Sequence, residues 1–356
     1  MKRPRVKPEH LAHRLDNGSV RIGGELYGIS AEIADPNGWA WSALQLMDGE
    51  HSPEEIEAQV GALHPGLGAA GARRLVNALI DSGYVEDASA GPHTPPPAAA
   101  ARYSRNHAYF RRVDLRPRND PWEAQLALGR ARVLVIGLGG TGSHAAWALA
   151  AAGVGLLTCV DADVVEESNL TRQVLYTESD IGRPKAEAAV GRLAAVNSAG
   201  TYTALKCHVD SPEELETLLR GCDALALCAD EPRVDVLAHW ANEVCSRLRV
   251  PWVSAGYNGP LVAVGTYGPD GPCYLCVAAG EEARLKPGAH PRMGGKGVLA
   301  PVAGISGQLI AYEVIALLTG IGREPLGYVR GMNLIAPDQL VHVRHPARPD
   351  CAVCAR

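Results

Sequence analysis

An excess of positive charge is the first thing this sequence lacks. Its 356 residues carry 34 Lys and Arg against 39 Asp and Glu, a formal net charge of −5. Proteins that grip nucleic acid usually show a basic patch, so no nucleic-acid partner is expected. Long apolar runs are scarce too. Stretches such as AAWALAAAGVGLL (145–157) are too short and too rich in glycine to span a bilayer, and no membrane association is expected. The start, MKRPRVKPEHLAHRLDNG, is basic, but no apolar core follows it, so it does not read as a signal peptide. Without an export signal the expected compartment is the reducing cytoplasm, where disulfides do not persist. Nine cysteines then need another explanation.

What remains is ordinary globular material, 47% hydrophobic and 21% charged, in a chain long enough for two domains. One composition break divides it. ASAGPHTPPPAAAA (88–101) has no charge and no apolar periodicity, and reads as a semi-rigid linker between a unit over 1–87 and one over 102–356. Within the first unit, SVRIGGELYGISAEI suggests a pair of short strands around glycines, and WAWSALQLMDG a helix. In HSPEEIEAQV, Ser52 is a natural N-cap, Pro53 suits the first helical position and Glu55 completes a capping box. A third helix from Ala72 puts Leu75, Leu79 and Ile80 on one side, stops at Gly83 and leads to a last strand at Tyr84-Val85. The order suggests an α+β domain of winged helix-turn-helix type. That fold often binds DNA, but its third helix offers only Arg73 and Arg74, so peptide binding or a structural role is favoured.

The second unit alternates strands and helices. ARVLVIG (131–137), GLLTCVDAD (155–163), YTALKCHV (202–209), DALALCAD (223–230) and VPWVSAGY (250–257) are short apolar runs of the kind buried in parallel sheets. Helical segments at 184–197, 211–220 and 232–247 separate the later ones. This is the pattern of an α/β, doubly wound, Rossmann-like domain with its ligand at the carboxyl ends of the strands. Gly137, Gly139, Gly140 and Gly142 then fall in GLGGTGS, directly after a strand and opening a helix, where phosphate can sit on a helix N-terminus. Asp161 ends the next strand and could hold ribose hydroxyls. On these facts alone a nicotinamide-dependent dehydrogenase would serve.

The residues that follow shift the balance. After Asp161 come Asp163, Asn169, Arg172 and Gln173, then Lys185 about one turn into the next helix, and Asp230 at the end of the fourth strand. A redox site holds a pyrophosphate but need not neutralise a departing one. Adenylyl transfer does need that, because charge grows on the leaving β/γ-phosphates, and Arg172 and Lys185 supply the cations. Asp230 offers an oxygen ligand for Mg²⁺. Surface ion pairing would explain either cation alone, but not the ordered set.

RYSRN (102–106), GLGGTGS (137–143), VDADVVEESNLTRQ (160–173), DIGRPK (180–185), CAD (228–230) and GVLAPVAGISGQLIAYEVIALLTG (297–320) occur in one order. In these motifs residues 102–356 resemble the ThiF/MoeB-type adenylyltransferases, relatives of the ubiquitin-activating enzymes. The resemblance implies binding of ATP with Mg²⁺ and attack on its α-phosphate by the C-terminal carboxylate of a peptide or small protein. It implies that Asp161 holds the ribose, that Asn169, Arg172 and Lys185 hold the phosphates, and that Asp230 serves the metal. Arg105 matches the arginine that crosses a dimer interface to the γ-phosphate, implying a homodimer, although the Gln usual after it is here Asn106. The WSALQLMDGEHSPEEIEAQV run with LVNALIDSGYVED likewise resembles precursor-peptide recognition domains of ribosomal peptide maturation enzymes. These add a leader peptide as an extra strand. The layout is similar to that of MccB-like peptide-modifying enzymes.

Four of the cysteines form two C-x-x-C knuckles, Cys273/Cys276 and Cys351/Cys354. The spacing lets both pairs converge on one tetrahedral Zn²⁺ with no open position, a structural site. The other five sit singly in apolar surroundings and are read as packing residues. Sulfur- and carrier-transferring relatives have a nucleophilic cysteine after the first knuckle, whereas VAAGEEARLKPGAHPRMGGKGVLA (277–300) has none. That segment is expected to fold over substrate, and its adenylate to be used directly. Two further readings stand: activation of a ubiquitin-like sulfur carrier, and a non-catalytic adaptor that presents a precursor peptide to a separate cyclodehydratase.

Overall fold

The computed structural model describes residues 1–355 apart from 26, 90–94, 117, 119, 230–233, 287–296 and 323–325. The chain divides into two compact units, Met1–Leu126 and Ala127–Arg356.

In the first unit β1 (Pro4–Val6) and β2 (His13–Arg14) precede β3 (Val20–Ile22), β4 (Ala31–Ile33), α1 (Trp39–Leu46), α2 (Pro53–Leu63), α3 (Gly68–Asp81) and β5 (Val85–Asp87). Strands β2, β3 and β4 form one antiparallel sheet, and β1 pairs with β5. Val20, Ile22, Leu44, Ile56 and Val76 meet in a core sealed from water. The capping box of α2 is present in full: Glu55 N donates to Ser52 Oγ at 3.2 Å, and Ser52 N to Glu55 Oε2 at 2.7 Å. Helix α3 starts at Gly68, ahead of the expected Ala72, because nothing between the two forbids helix and Gly71 and Ala72 are both buried.

The segment expected to be a linker contains a helix, α4 (Pro97–Arg102). Proline costs nothing at the first helical position, where its missing N–H would be unsatisfied anyway, and the alanines after it are the best helix formers. Helix α5 (Ser104–Val113) follows and docks on the same unit. Lys7 Nζ donates to the Asp114 carbonyl at 2.7 Å, and Arg111 pairs with Glu86 at 2.7 Å and Glu9 at 3.4 Å. The first compact unit therefore runs to Leu126, beyond the boundary expected at 87.

Helix α6 (Glu123–Arg130) leads into the second unit. There β6 (Arg132–Ile136), α7 (Gly140–Ala152), β7 (Leu156–Val160), α8 (Lys185–Val196), β8 (Thr201–Leu205), α9 (Pro212–Leu219), β9 (Ala224–Leu227), α10 (Val234–Leu248) and β10 (Trp252–Asn258) alternate as expected. Five strands lie parallel in the order β10-β9-β6-β7-β8. Beyond β10 the sheet continues antiparallel through β11 (Leu261–Tyr267), β12 (Tyr328–Asn333) and β13 (Ala336–Arg344), for eight strands in all. These three edge strands carried no distinct pattern in the sequence. Helix α11 (Tyr274–Glu282) intervenes, and α12 (Ala300–Thr319) packs on α7, where Thr141 Oγ1 and Ser306 Oγ lie 2.7 Å apart. Length and apolarity would let α12 cross a membrane, contrary to the expectation that no run is long enough. Yet 56% of its most apolar window is buried within the fold, and it serves as a core helix. Strand order reverses between β6 and β9, and that switch point fixes where a ligand can sit.

Candidate active site

A cleft of about 1120 Å³ opens at the carboxyl ends of the parallel strands, built entirely from the second unit. Its floor is the turn from β6 into α7. Gly137 has a φ of +86°, and a Cβ there would lie 2.7 Å from Ala229 N. A Cβ on Gly142 would lie 1.8 Å from the Gly137 carbonyl oxygen, so both positions exclude side chains. Gly137, Gly139 and Gly140 line the cleft, while Gly142 lies in the first turn of α7 and serves the tight packing behind it. A ligand lying on these glycines would face the helix N-terminus.

Asp161, at the end of β7, closes the loop. Its Oδ2 accepts from Leu138 N at 2.7 Å and its Oδ1 from Asp163 N at 2.9 Å. The carboxylate is therefore held rigidly at the cleft wall. Beneath it Tyr176 is buried and donates to the Leu138 carbonyl at 3.0 Å. Burial, then the Asp161 charge, pushes its hydroxyl well above the usual range, so it stays protonated.

The chain next makes a 3-10 turn, Glu167–Thr171, that arranges the polar wall. Asn169 is buried and its Oδ1 accepts from Glu166 N at 3.0 Å, which leaves its amide nitrogen available. Arg172 leans over the glycine loop. Its NH1 donates to the Ser168 carbonyl at 3.0 Å, and it makes no ion pair among the described residues. Gln173 is buried, lines the cleft and has an Oε1 without a partner, a polar atom of the kind a ligand satisfies. Lys185 is the first residue of α8 rather than one turn inside it. It is 6% exposed, and its Nζ donates to Asp163 Oδ2 at 2.7 Å. An ammonium held this way in a half-dry site acts strongly on a nearby anion.

The cleft gathers Gly137, Gly139, Gly140, Asp161, Asp163, Asn169, Arg172, Gln173 and Lys185, all legible in the sequence. Asp230 lies outside the described residues. Arg105 is exposed on α5, in the first unit. The sequence reading missed the far wall, made by Ser254 to Asn258 of β10 with Leu261 and Ala263 of β11, which no charge or motif marks. It also misplaced Cys207, which is exposed and lines the cleft beside His208, as Cys228 lines its floor. A position just past the end of β8 was the available signal. Burial pushes the Cys228 thiol up to about 12, which favours the protonated form. Of the segment expected to fold over substrate, Arg292 and Lys296 lie outside the described residues, and Glu281 is engaged with His345 at 2.7 Å.

A second site lies in the same unit. The Sγ atoms of Cys273, Cys276, Cys351 and Cys354 all fall within 4.8 Å of one another. Separations of 3.9, 3.6 and 3.4 Å link Cys273 to Cys276, Cys273 to Cys351 and Cys276 to Cys354. Four sulfurs about 2.3 Å from a tetrahedral Zn²⁺ stand about 3.8 Å apart, so the cluster fits a metal of that kind. None of the six sulfur pairs forms a disulfide.

Comparison with known proteins agrees with this geometry. A model of the ThiF family matches residues 103–353. The molybdopterin-synthase adenylyltransferase of Salmonella typhimurium is 35% identical over 253 residues, covering 70% of this chain and 96% of its own. The mouse adenylyltransferase and sulfurtransferase MOCS3 is 35% identical over 289 residues, 80% of this chain and 60% of its own. Among solved structures, E. coli MccB superposes with a TM-score of 0.78 at 22% identity, covering 99% of this chain and 97% of that one. PaaA superposes with a TM-score of 0.70 at 24% identity.

Proposed function

The chain belongs to the ThiF family and is an ATP-using adenylyltransferase, and from that premise we propose that it activates the C-terminal carboxylate of a peptide. The observation that carries this reading is the cleft itself: a glycine-rich loop faced by Arg172 and Lys185, with a neutral far wall of β10 and β11. A carboxylate entering along that wall attacks the α-phosphorus of ATP. The new C–O–P linkage forms as the bond to the β-phosphate oxygen breaks, giving acyl-adenylate and pyrophosphate. Arg172, Lys185 and the amides at the start of α7 take up the charge that moves onto the leaving oxygens. Asp161 would orient the ribose, and Asp230 would be the residue to hold Mg²⁺, which would offset phosphate charge. Arg105 reaches the triphosphate of a partner copy, so the active form is a homodimer, working in the cytoplasm. The four cysteines would hold a structural zinc.

A peptide is favoured over a folded carrier because the family match begins only at residue 103, while Met1–Leu126 is a compact unit with a core of its own. That unit would hold the precursor's leader, in the setting of ribosomal peptide maturation. The second reading, activation of a ubiquitin-like sulfur carrier, is favoured by the identity to molybdopterin-synthase adenylyltransferase. Substrate-dependent ATP–pyrophosphate exchange separates the two. Exchange driven by a short peptide supports the first, and exchange driven only by a Gly-Gly-ending carrier supports the second. No exchange with any carboxyl-terminal substrate would turn the reading towards an adaptor.

A further inference from the structure

The first knuckle poses a local problem. Cys273 is the N-cap residue of α11, and its side chain makes no capping hydrogen bond. A thiolate committed to a metal cannot also serve the free amides of a first helical turn, which must then find another acceptor. The first of them finds it on α10. Tyr274 N donates to Asn242 Oδ1 at 2.9 Å. Asn242 is 2% exposed, and its Nδ2 makes no hydrogen bond among the described residues.

One turn further along the same helix, Ser246 Oγ donates to the carbonyl of Val353 at 3.5 Å. Val353 lies between the two cysteines of the second knuckle. Residues four apart share a helix face, so Asn242 and Ser246 present one surface to both knuckles. The knuckles are tied to each other by Arg348 N, which donates to Cys276 Sγ at 3.3 Å.

We propose that α10 is the outer shell of the four-cysteine centre, with Asn242 and Ser246 as positioning residues that fix the two knuckles for a tetrahedral metal. This rests on the metal reading above. Residues in this relation to a metal hold its ligands in the bonding geometry, and their loss typically costs 10- to 100-fold in metal affinity. Asn242 does so through its oxygen, which caps the helix that carries Cys273 and Cys276.

The test uses the full-length protein loaded with zinc and follows release of the metal to a chromogenic chelator. Asn242→Asp keeps the oxygen that accepts from Tyr274 N but puts a negative charge in place of a buried amide nitrogen that has no partner among the described residues. It should release zinc at least about tenfold faster than wild type. Ser246→Ala should release it faster by a smaller factor. Asn242→Ala, which removes donor and acceptor, is read in the same way and decides the matter if the Asp variant does not fold. Wild-type release rates in the Asn242 variants, with or without a lowered melting temperature, would make Asn242 an ordinary core amide and overturn the proposal. Wild-type protein that takes up no zinc overturns the metal assignment, and this proposal with it.

Discussion

Lys185 shows how much one side chain can be asked to do. It is buried, opens α8 and reaches Asp163, so its charge is held at the cleft wall rather than trailing in water. Removing one preorganised charge of this kind costs about 10²–10³ in rate. Lys185→Ala should therefore cut pyrophosphate exchange by about that factor while leaving the melting temperature close to wild type, since Asp163 is itself exposed. A distant residue gives a second prediction. Partial burial pushes the Asp87 carboxyl up, but the amides of Lys2, Ser89 and Arg3 and the Ser89 hydroxyl outweigh it and hold it down at about 2. A carboxyl lowered on folding contributes stability above its unfolded value near 4, and that contribution fades as pH falls from about 4 to 2. Thermal unfolding should lose stability across that window, and Asp87→Asn should flatten the loss.

At the level of elements, the caps and knuckles are the sensitive points. The reciprocal hydrogen bonds of Ser52 and Glu55 start α2, and Ser52→Ala should cost about 1 kcal/mol in denaturant unfolding. The Ser211 cap of α9 is less complete: Ser211 Oγ accepts from Glu214 N at 3.2 Å, while the Glu214 carboxylate turns to Asp210 N at 2.9 Å. The four-cysteine cluster joins α11 to the C-terminal knuckle across 78 residues of sequence. Cys351→Ser should lose the metal, measured by elemental analysis, and should lower the melting temperature. Retained metal would show that the four sulfurs are not its ligands.

For the whole molecule, the boundary between units carries a prediction. A chain cut after residue 87 would lose the Asp114 carbonyl that Lys7 reaches and the Arg111 that pairs with Glu9 and Glu86, and would uncover core residues that Leu115 helps to close. A chain of residues 1–126 should give a cooperative unfolding transition, and one of residues 1–87 should not. If both unfold alike, α5 is not part of the first unit's fold.

Sequence alone determined the glycine loop, the strands that carry it, the polar series from Asp161 to Lys185, the Ser52 cap and both knuckles. Each of these is local: its spacing along the chain is the spacing its chemistry requires. Tertiary structure decided the rest. That α5 packs with the first unit, that β11 to β13 extend the sheet antiparallel, and that Cys207 faces the cleft depend on which distant segments meet. So does the burial of α12, whose composition alone fits a membrane as well as a core. The partnership of Asn242 and Ser246 with the knuckles is of the same kind. A helix shows its apolar period in the sequence, but not what its polar residues will find across the gap.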